Sequence, residues 1–241
     1  MERPFVMHLY GHSHVRRFME FLDDKPGYTV EKLPQLSEAN KLRKEKDPSA
    51  ETLLPNMGFS EGKFRFMADQ GSSLPQIKDS LLRYKGNPRD LQMIYAGDND
   101  RWSCPDPIVA AGKIFSTILE YVPVATGPTI VAGLLPRWKM PEYCKWAGQV
   151  NEELVRLIRE ENTKAGRVRV IWLQHQKEMA LVGVPTNPGV YDREEIHGNL
   201  RYWWPKGNIW RRDDVHLCPL ANAKFYFNLR HAIQYALTLM Q

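Results

Sequence analysis

The chain is predicted to fold as a parallel α/β sheet with helices on both faces. Three observations predict it. Short apolar runs alternate with longer amphipathic ones along all 241 residues, and strands that alternate with helices need right-handed crossovers, which build such a sheet. The composition, 43% hydrophobic and 25% charged, is that of an ordinary globular protein and excludes a collagen, a coiled coil and a largely disordered chain. The length suits one domain of roughly 200–250 residues, and neither a repeat nor a linker divides it.

The elements follow in order. Pro4 to Tyr10 (PFVMHLY) reads as a buried strand ending at Gly11. His14 to Leu22 carries Val15, Phe18, Met19 and Leu22 at helical spacing. Residues 24 to 60 are polar, rich in proline and charge, and read as an insertion. Lys63 to Ala68 is a strand, Leu74 to Tyr84 a helix with Pro75 in its first turn, and Asp90 to Ala96 a strand stopped by Gly97. Pro107 to Tyr121 is a helix, Thr129 to Leu135 a buried strand, and Pro141 to Glu161 the longest helix, with Leu154, Val155, Leu157 and Ile158 inward. Arg167 to Leu173 is the fifth strand. Residues 183 to 212, with Pro185, Pro188 and Pro205, form a long loop, and Leu220 to Leu239 is the closing helix.

Several function classes are excluded early. No run of about 18 apolar residues exists, so no spanning helix is expected. The N-terminal apolar run is too short for a secretory signal. Cys104, Cys144 and Cys218 are odd in number and widely spaced. They suggest buried thiols rather than a metal set or disulfide framework, and a reducing, cytoplasmic compartment with the nucleus left open. The net charge of +5 can attract nucleic acid or anionic lipid. However, the densest cationic cluster, Lys41 to Lys46, is mixed with Glu38, Glu45, Asp47 and Glu51, and reads as a solvated insertion.

In an open parallel sheet the chemistry collects beyond the carboxyl ends of the strands. Gly11-His12-Ser13-His14 follows the first strand, Gln70-Gly71-Ser72-Ser73 the second and Gly97-Asp98-Asn99-Asp100 the third. Asp213-Asp214-Val215-His216-Leu217 precedes the last helix. Together they suit acyl transfer. Ser13 sits at a strand-to-helix turn and needs a base to become a nucleophile. His216 is the candidate base, and Asp213, three residues before it, can hold the tautomer, with Asp214 solvated. The amides of Ser13 and Gly71 and the carboxamide of Asn99 are candidate oxyanion donors, each typically worth about 3–4 kcal/mol of barrier. Gly71 is expected because a side chain there would block backbone approach.

Gly-x-Ser, a glycine after the second strand, Gly-x-Asn-Asp and a late Asp-x-x-His, in that order from Gly11 to His216, resemble the SGNH hydrolase superfamily, the GDSL-type esterases and lipases. The resemblance implies a flavodoxin-like three-layer α/β/α sandwich with a central parallel sheet of about five strands. It implies hydrolysis of a carboxylic ester, acetyl or short acyl, through an acyl-enzyme on Ser13, with Asp213 and His216 completing the triad and Gly71 and Asn99 the oxyanion hole. No metal and no organic cofactor is implied. The Gly-His-Ser form is similar to versions in invertebrate proteins and retroelement esterase domains. The family more often has aspartate where this chain has His12, which bears on local geometry and substrate range.

Other signals surround this set. His8, His12 and His14 invite a metal reading, but a metallophosphoesterase carries its Gly-His-x-His block late and needs an early Asp-x-His, which is missing. Tyr202-Trp203-Trp204-Pro205 and Trp210 precede the triad block, and Trp102 follows the third block. Trp102, Trp204 and Trp210, with His12, are candidate substrate contacts in an apolar acyl wall. Arg211 and Arg212 are ordinary exposed arginines or contacts to an anionic substrate. The expected partner is a small-molecule, lipid or sugar ester. The rival readings are an inactive SGNH-like adaptor beside nucleic acid and a metal-dependent phosphoesterase.

Overall fold

In the computed structural model, residues 5–24, 30–32, 49–53, 62–68, 70–83, 90–121, 127–137, 140–173, 215–217 and 219–241 are described. The strands are β1 (Phe5–Gly11), β2 (Val30–Lys32), β3 (Ser49–Leu53), β4 (Gly62–Ala68), β5 (Leu91–Ile94), β6 (Thr129–Ala132) and β7 (Val170–Leu173). The helices are α1 (Ser13–Asp23), α2 (Leu74–Arg83), α3 (Pro107–Tyr121), α4 (Pro141–Ala165) and α5 (Pro219–Leu239).

One sheet of order β2-β3-β4-β1-β5-β6-β7 forms the middle layer. Its five strands β4, β1, β5, β6 and β7 run parallel, as expected. β1 is central and buried on both faces, which is why it reads as a continuous apolar run. The chain leaves β1 in one direction to reach β4, then returns past it to β5, β6 and β7. Crossovers of one hand running in opposite directions put α1 on one face and α2, α3 and α4 on the other. α5 returns to the face of α1, where Phe18 meets Phe225 at 5.0 Å and Phe66 at 6.2 Å between ring centroids. Such ring pairs add about 0.5–1.5 kcal/mol each beyond burial. Five strands and two helical layers give the three-layer sandwich.

The structure departs from the sequence reading in several places, and β5 and β7 are shorter than the expected strands. The polar stretch 24–60 supplies two strands: β2 pairs with β3, and β3 with β4, both antiparallel. β2 is an edge strand, where charge is tolerated, and the charged Glu31, Lys32 and Glu51 interrupt any apolar run in β2 and β3. β6 ends at Ala132, although residues 133–135 are equally apolar. There the backbone leaves the ladder and pairs with side chains. Leu134 N–H donates to Asn151 Oδ1 at 2.8 Å, Asn151 Nδ2 donates to Leu134 O at 3.0 Å, and Leu135 N–H donates to the Tyr95 hydroxyl at 3.1 Å. Buried backbone groups need partners wherever they can be found, and these fix the loop after β6. α4 runs on to Ala165 and stops at the left-handed Gly166, with φ +63. Leu154 and Ile158 of α4 are buried as expected, while Val155 and Leu157 are only half-buried. The 183–212 loop lies outside the described residues, and no helix among the described residues is long and apolar enough to cross a membrane.

Candidate active site

The strand order reverses at β1, so the crevice beyond the carboxyl ends of β1 and β5 is the expected site. α1 begins at Ser13 directly after β1, with His12 in extended conformation as its cap. The Ser13 amide belongs to the first helical turn, whose N–H groups have no intrahelical acceptor. Its side chain is half-buried.

Four separate contacts gather the four sequence blocks. First, His12 Nε2 is 2.7 Å from Asp98 Oδ2, which joins the β1 turn to the β5 turn. Second, Asn99 Nδ2 donates to Ser72 O at 3.0 Å, which joins the β5 turn to the β4 turn. Third, Leu74 N–H donates to Asp100 Oδ2 at 2.9 Å, so Asp100 caps α2 from across the cleft. Fourth, the His216 ring lies 5.3 Å from that of His14, the residue after Ser13. The turn carrying His216 is tethered to α5 because the buried Asn222 donates through Nδ2 to Leu217 O at 3.1 Å.

Glycine conformation shapes two of these turns. Gly71 has φ +75, and a Cβ built there meets nothing within 4 Å. The left-handed backbone itself favours glycine here. Gly97 has φ +111, and a Cβ would lie 2.4 Å from Ile114 Cδ1.

The remaining candidates divide. His12, expected among the substrate contacts, is 1% exposed and turned inward to Asp98. A buried, paired ring frames the site and does not line its rim. Trp102 is 83% exposed, with the Arg101 guanidinium 5.6 Å from its ring centroid. His8 pairs with Asp90, which precedes β5, at 2.8 Å, so it serves the opposite end of the sheet. Cys104 and Cys144 are buried thiols. Asp213, Trp204, Trp210, Arg211, Arg212 and Cys218 lie outside the described residues. Among the described residues no three His, Cys, Asp or Glu side chains are grouped as a metal site requires.

The sequence reading missed three residues beneath the site. Asp98 is the hub: besides His12, its Oδ1 accepts from the Tyr143 hydroxyl of α4. Arg137, after β6, donates through Nη2 to Asp98 O at 2.9 Å and to Asn99 Oδ1 at 3.1 Å. Pro136 and Arg137 follow the end of β6, much as the four blocks follow or precede their elements, which was the available signal. Burial pushes the Asp98 carboxyl up, but the hydrogen bond and charge of His12, with His14 and Arg137 adding to them, hold it well below the usual carboxylate range. Burial, then the Asp98 charge, push the Tyr95 and Tyr143 phenols well up. Burial holds His14 well below its usual value despite the opposing charge of Asp98, and His12, His216 and Arg137 add to that lowering. His14 is thus a neutral neighbour for His216.

No protein-family model and no curated protein matches the chain. Solved structures do. A member of the lipolytic G-D-S-L family from Veillonella parvula is similar at TM-score 0.53 and 10% identity, over 96% of this chain and 99% of that one. A lipase/acylhydrolase from Enterococcus faecalis is similar at 0.53 and 12%, over 96% of each chain. A GDSL-like lipase from Bacteroides thetaiotaomicron is similar at 0.53 and 13%, over 98% of this chain and 88% of that one. The chain shares the α/β fold of these SGNH-type, flavodoxin-like structures.

Proposed function

We propose that this chain is a serine esterase that hydrolyses an acetyl or short acyl ester. The observation that carries the reading is the gathering, at one end of the sheet, of four blocks scattered from residue 11 to residue 217. The shared fold with lipolytic and acylhydrolase structures supports ester hydrolysis in general.

In this reading Ser13 Oγ attacks the ester carbonyl while His216 takes its proton, with Asp213 holding the imidazole tautomer. The amides of Ser13 and Gly71 and the carboxamide of Asn99 stabilise the tetrahedral oxyanion. The alcohol departs with the proton from His216. Water, activated by the same imidazole, then releases the acid from the acyl-enzyme. Trp102, with Trp204 and Trp210, is assigned to the acyl wall.

The test is turnover of p-nitrophenyl acetate by the wild type and by Ser13→Ala, with fluorophosphonate labelling of both. Turnover and label are expected in the wild type and in neither case for Ser13→Ala. Equal turnover by the two proteins rules the mechanism out, and an unlabelled, inactive wild type favours an adaptor.

A further inference from the structure

We infer that Arg137 is a positioning residue for the oxyanion hole, acting through the carboxamide of Asn99. The role of Asn99 in that hole rests on the esterase reading, whereas the contact that orients it does not. A carboxamide stabilises an oxyanion only when nitrogen, not oxygen, faces the reacting atom. Its two orientations differ by a half-turn and have almost the same shape, so hydrogen bonds must choose between them.

Asn99 is held in one orientation from both ends. Nδ2 donates to Ser72 O at 3.0 Å, and Oδ1 accepts from Arg137 Nη2 at 3.1 Å. The half-turn would set two donors together at Arg137 and two acceptors together at Ser72. With one Nδ2 hydrogen bonded to Ser72, the second has no partner among the described residues. A cation against Oδ1 also polarises the amide and strengthens its N–H groups as donors.

Arg137 is itself fixed. The same Nη2 donates to Asp98 O at 2.9 Å, and the guanidinium lies 4.4 Å over the Tyr143 ring. Its backbone O accepts from Cys144 Sγ at 3.2 Å. Just before it, Leu134 is clasped by Asn151 and Leu135 by the Tyr95 hydroxyl. The guanidinium thus reaches the β5 turn from an immobilised loop, with α4 and the end of β5 behind it.

The experiment compares the wild type, Arg137→Met, Asn99→Ala and the double variant. Methionine keeps the stem and removes the guanidinium. For p-nitrophenyl acetate, Arg137→Met should lower kcat about 100-fold, the scale of a misplaced oxyanion donor, with KM within about twofold. The double variant should be no slower than Asn99→Ala alone. Independent, multiplying losses overturn the inference. A second readout needs no turnover: the side-chain amide proton pair of Asn99 in a ¹H–¹⁵N spectrum, identified by its loss in Asn99→Ala. It should be displaced from free-amide positions in the wild type and return to them in Arg137→Met. An unmoved pair overturns the inference whether or not any ester is hydrolysed. A pair that moves in an inert wild type supports the Arg137 contact and removes only the esterase reading. Should Arg137→Met not fold, Arg137→Lys keeps the charge without the planar stack on Tyr143. An amide pair at free-amide positions together with a wild-type kcat in that variant also overturns the inference.

Discussion

Replacing Asp98 by alanine removes the acceptor on which the β1 turn and α4 converge. Asp98 is 1% exposed, with His12 Nε2 at 2.7 Å from Oδ2 and the Tyr143 hydroxyl on Oδ1. The substitution leaves two buried donors without that acceptor, each costing about 1–3 kcal/mol. The two together cost about 3–5 kcal/mol. At about 2–4 °C per kcal/mol for a chain of this size, Tm should fall by roughly 6–20 °C. Asp98→Asn keeps the shape and the acceptor for Tyr143. Its amide nitrogen becomes a donor towards His12, whose neutral ring can accept at Nε2 as the other tautomer. That loss should be smaller, about 1–2 kcal/mol. The assay is urea unfolding followed by tryptophan fluorescence. The carboxyl is depressed in the folded state, so its contribution is fully present above its unfolded value of 3.8 and is lost as pH falls towards the folded one. The Asp98 carboxyl's share of the difference between wild type and Asp98→Ala should therefore shrink as pH falls below that unfolded value. An Asp98→Ala protein within about 0.5 kcal/mol of wild type would refute the buried-hub account.

Two further outcomes follow from the same region. The folded state keeps His14 neutral below its ordinary value of 6.5, while the unfolded chain takes up a proton there. Stability should thus fall from pH 7 to pH 5, by up to about 1.4 kcal/mol per pH unit from this ring, and less steeply in His14→Gln. Urea midpoints at the two pH values measure this, and parallel slopes would contradict it. Asn222→Ala removes the tether to Leu217 O and should cost about 1–2 kcal/mol. Because that turn carries His216, kcat on an aryl ester should also fall, by about tenfold. An unchanged kcat would show that the turn is held by other contacts.

The core of the sheet was legible because β1, β5 and β6 are buried on both faces and so appear as unbroken apolar runs. β2 and β3 were not legible, because these short antiparallel strands at one side of the sheet carry charged residues and no such run. The stretch 133–135 misled for the opposite reason: it is as apolar as a strand, but its amides pair with Asn151 and Tyr95. The blocks around Ser13, Gly71 and Asn99 could be found because strand ends are where a parallel sheet exposes chemistry. The positive φ of Gly71 is a property of the folded turn that the sequence reading did not anticipate. That the His12 ring is buried against Asp98 was not legible from its place after β1.

Order along the chain and local periodicity are properties of neighbouring residues, and from these the alternation of strands and helices and the positions of the four turns could be derived. The partnership of His12 with Asp98, 86 residues apart, could not. Nor could the reach of Arg137 to Asn99 or of Tyr143 to Asp98. Those contacts depend on which strand lies beside which and on where each ladder stops. These are long-range outcomes of packing a whole sheet, and no local pattern of side chains encodes them.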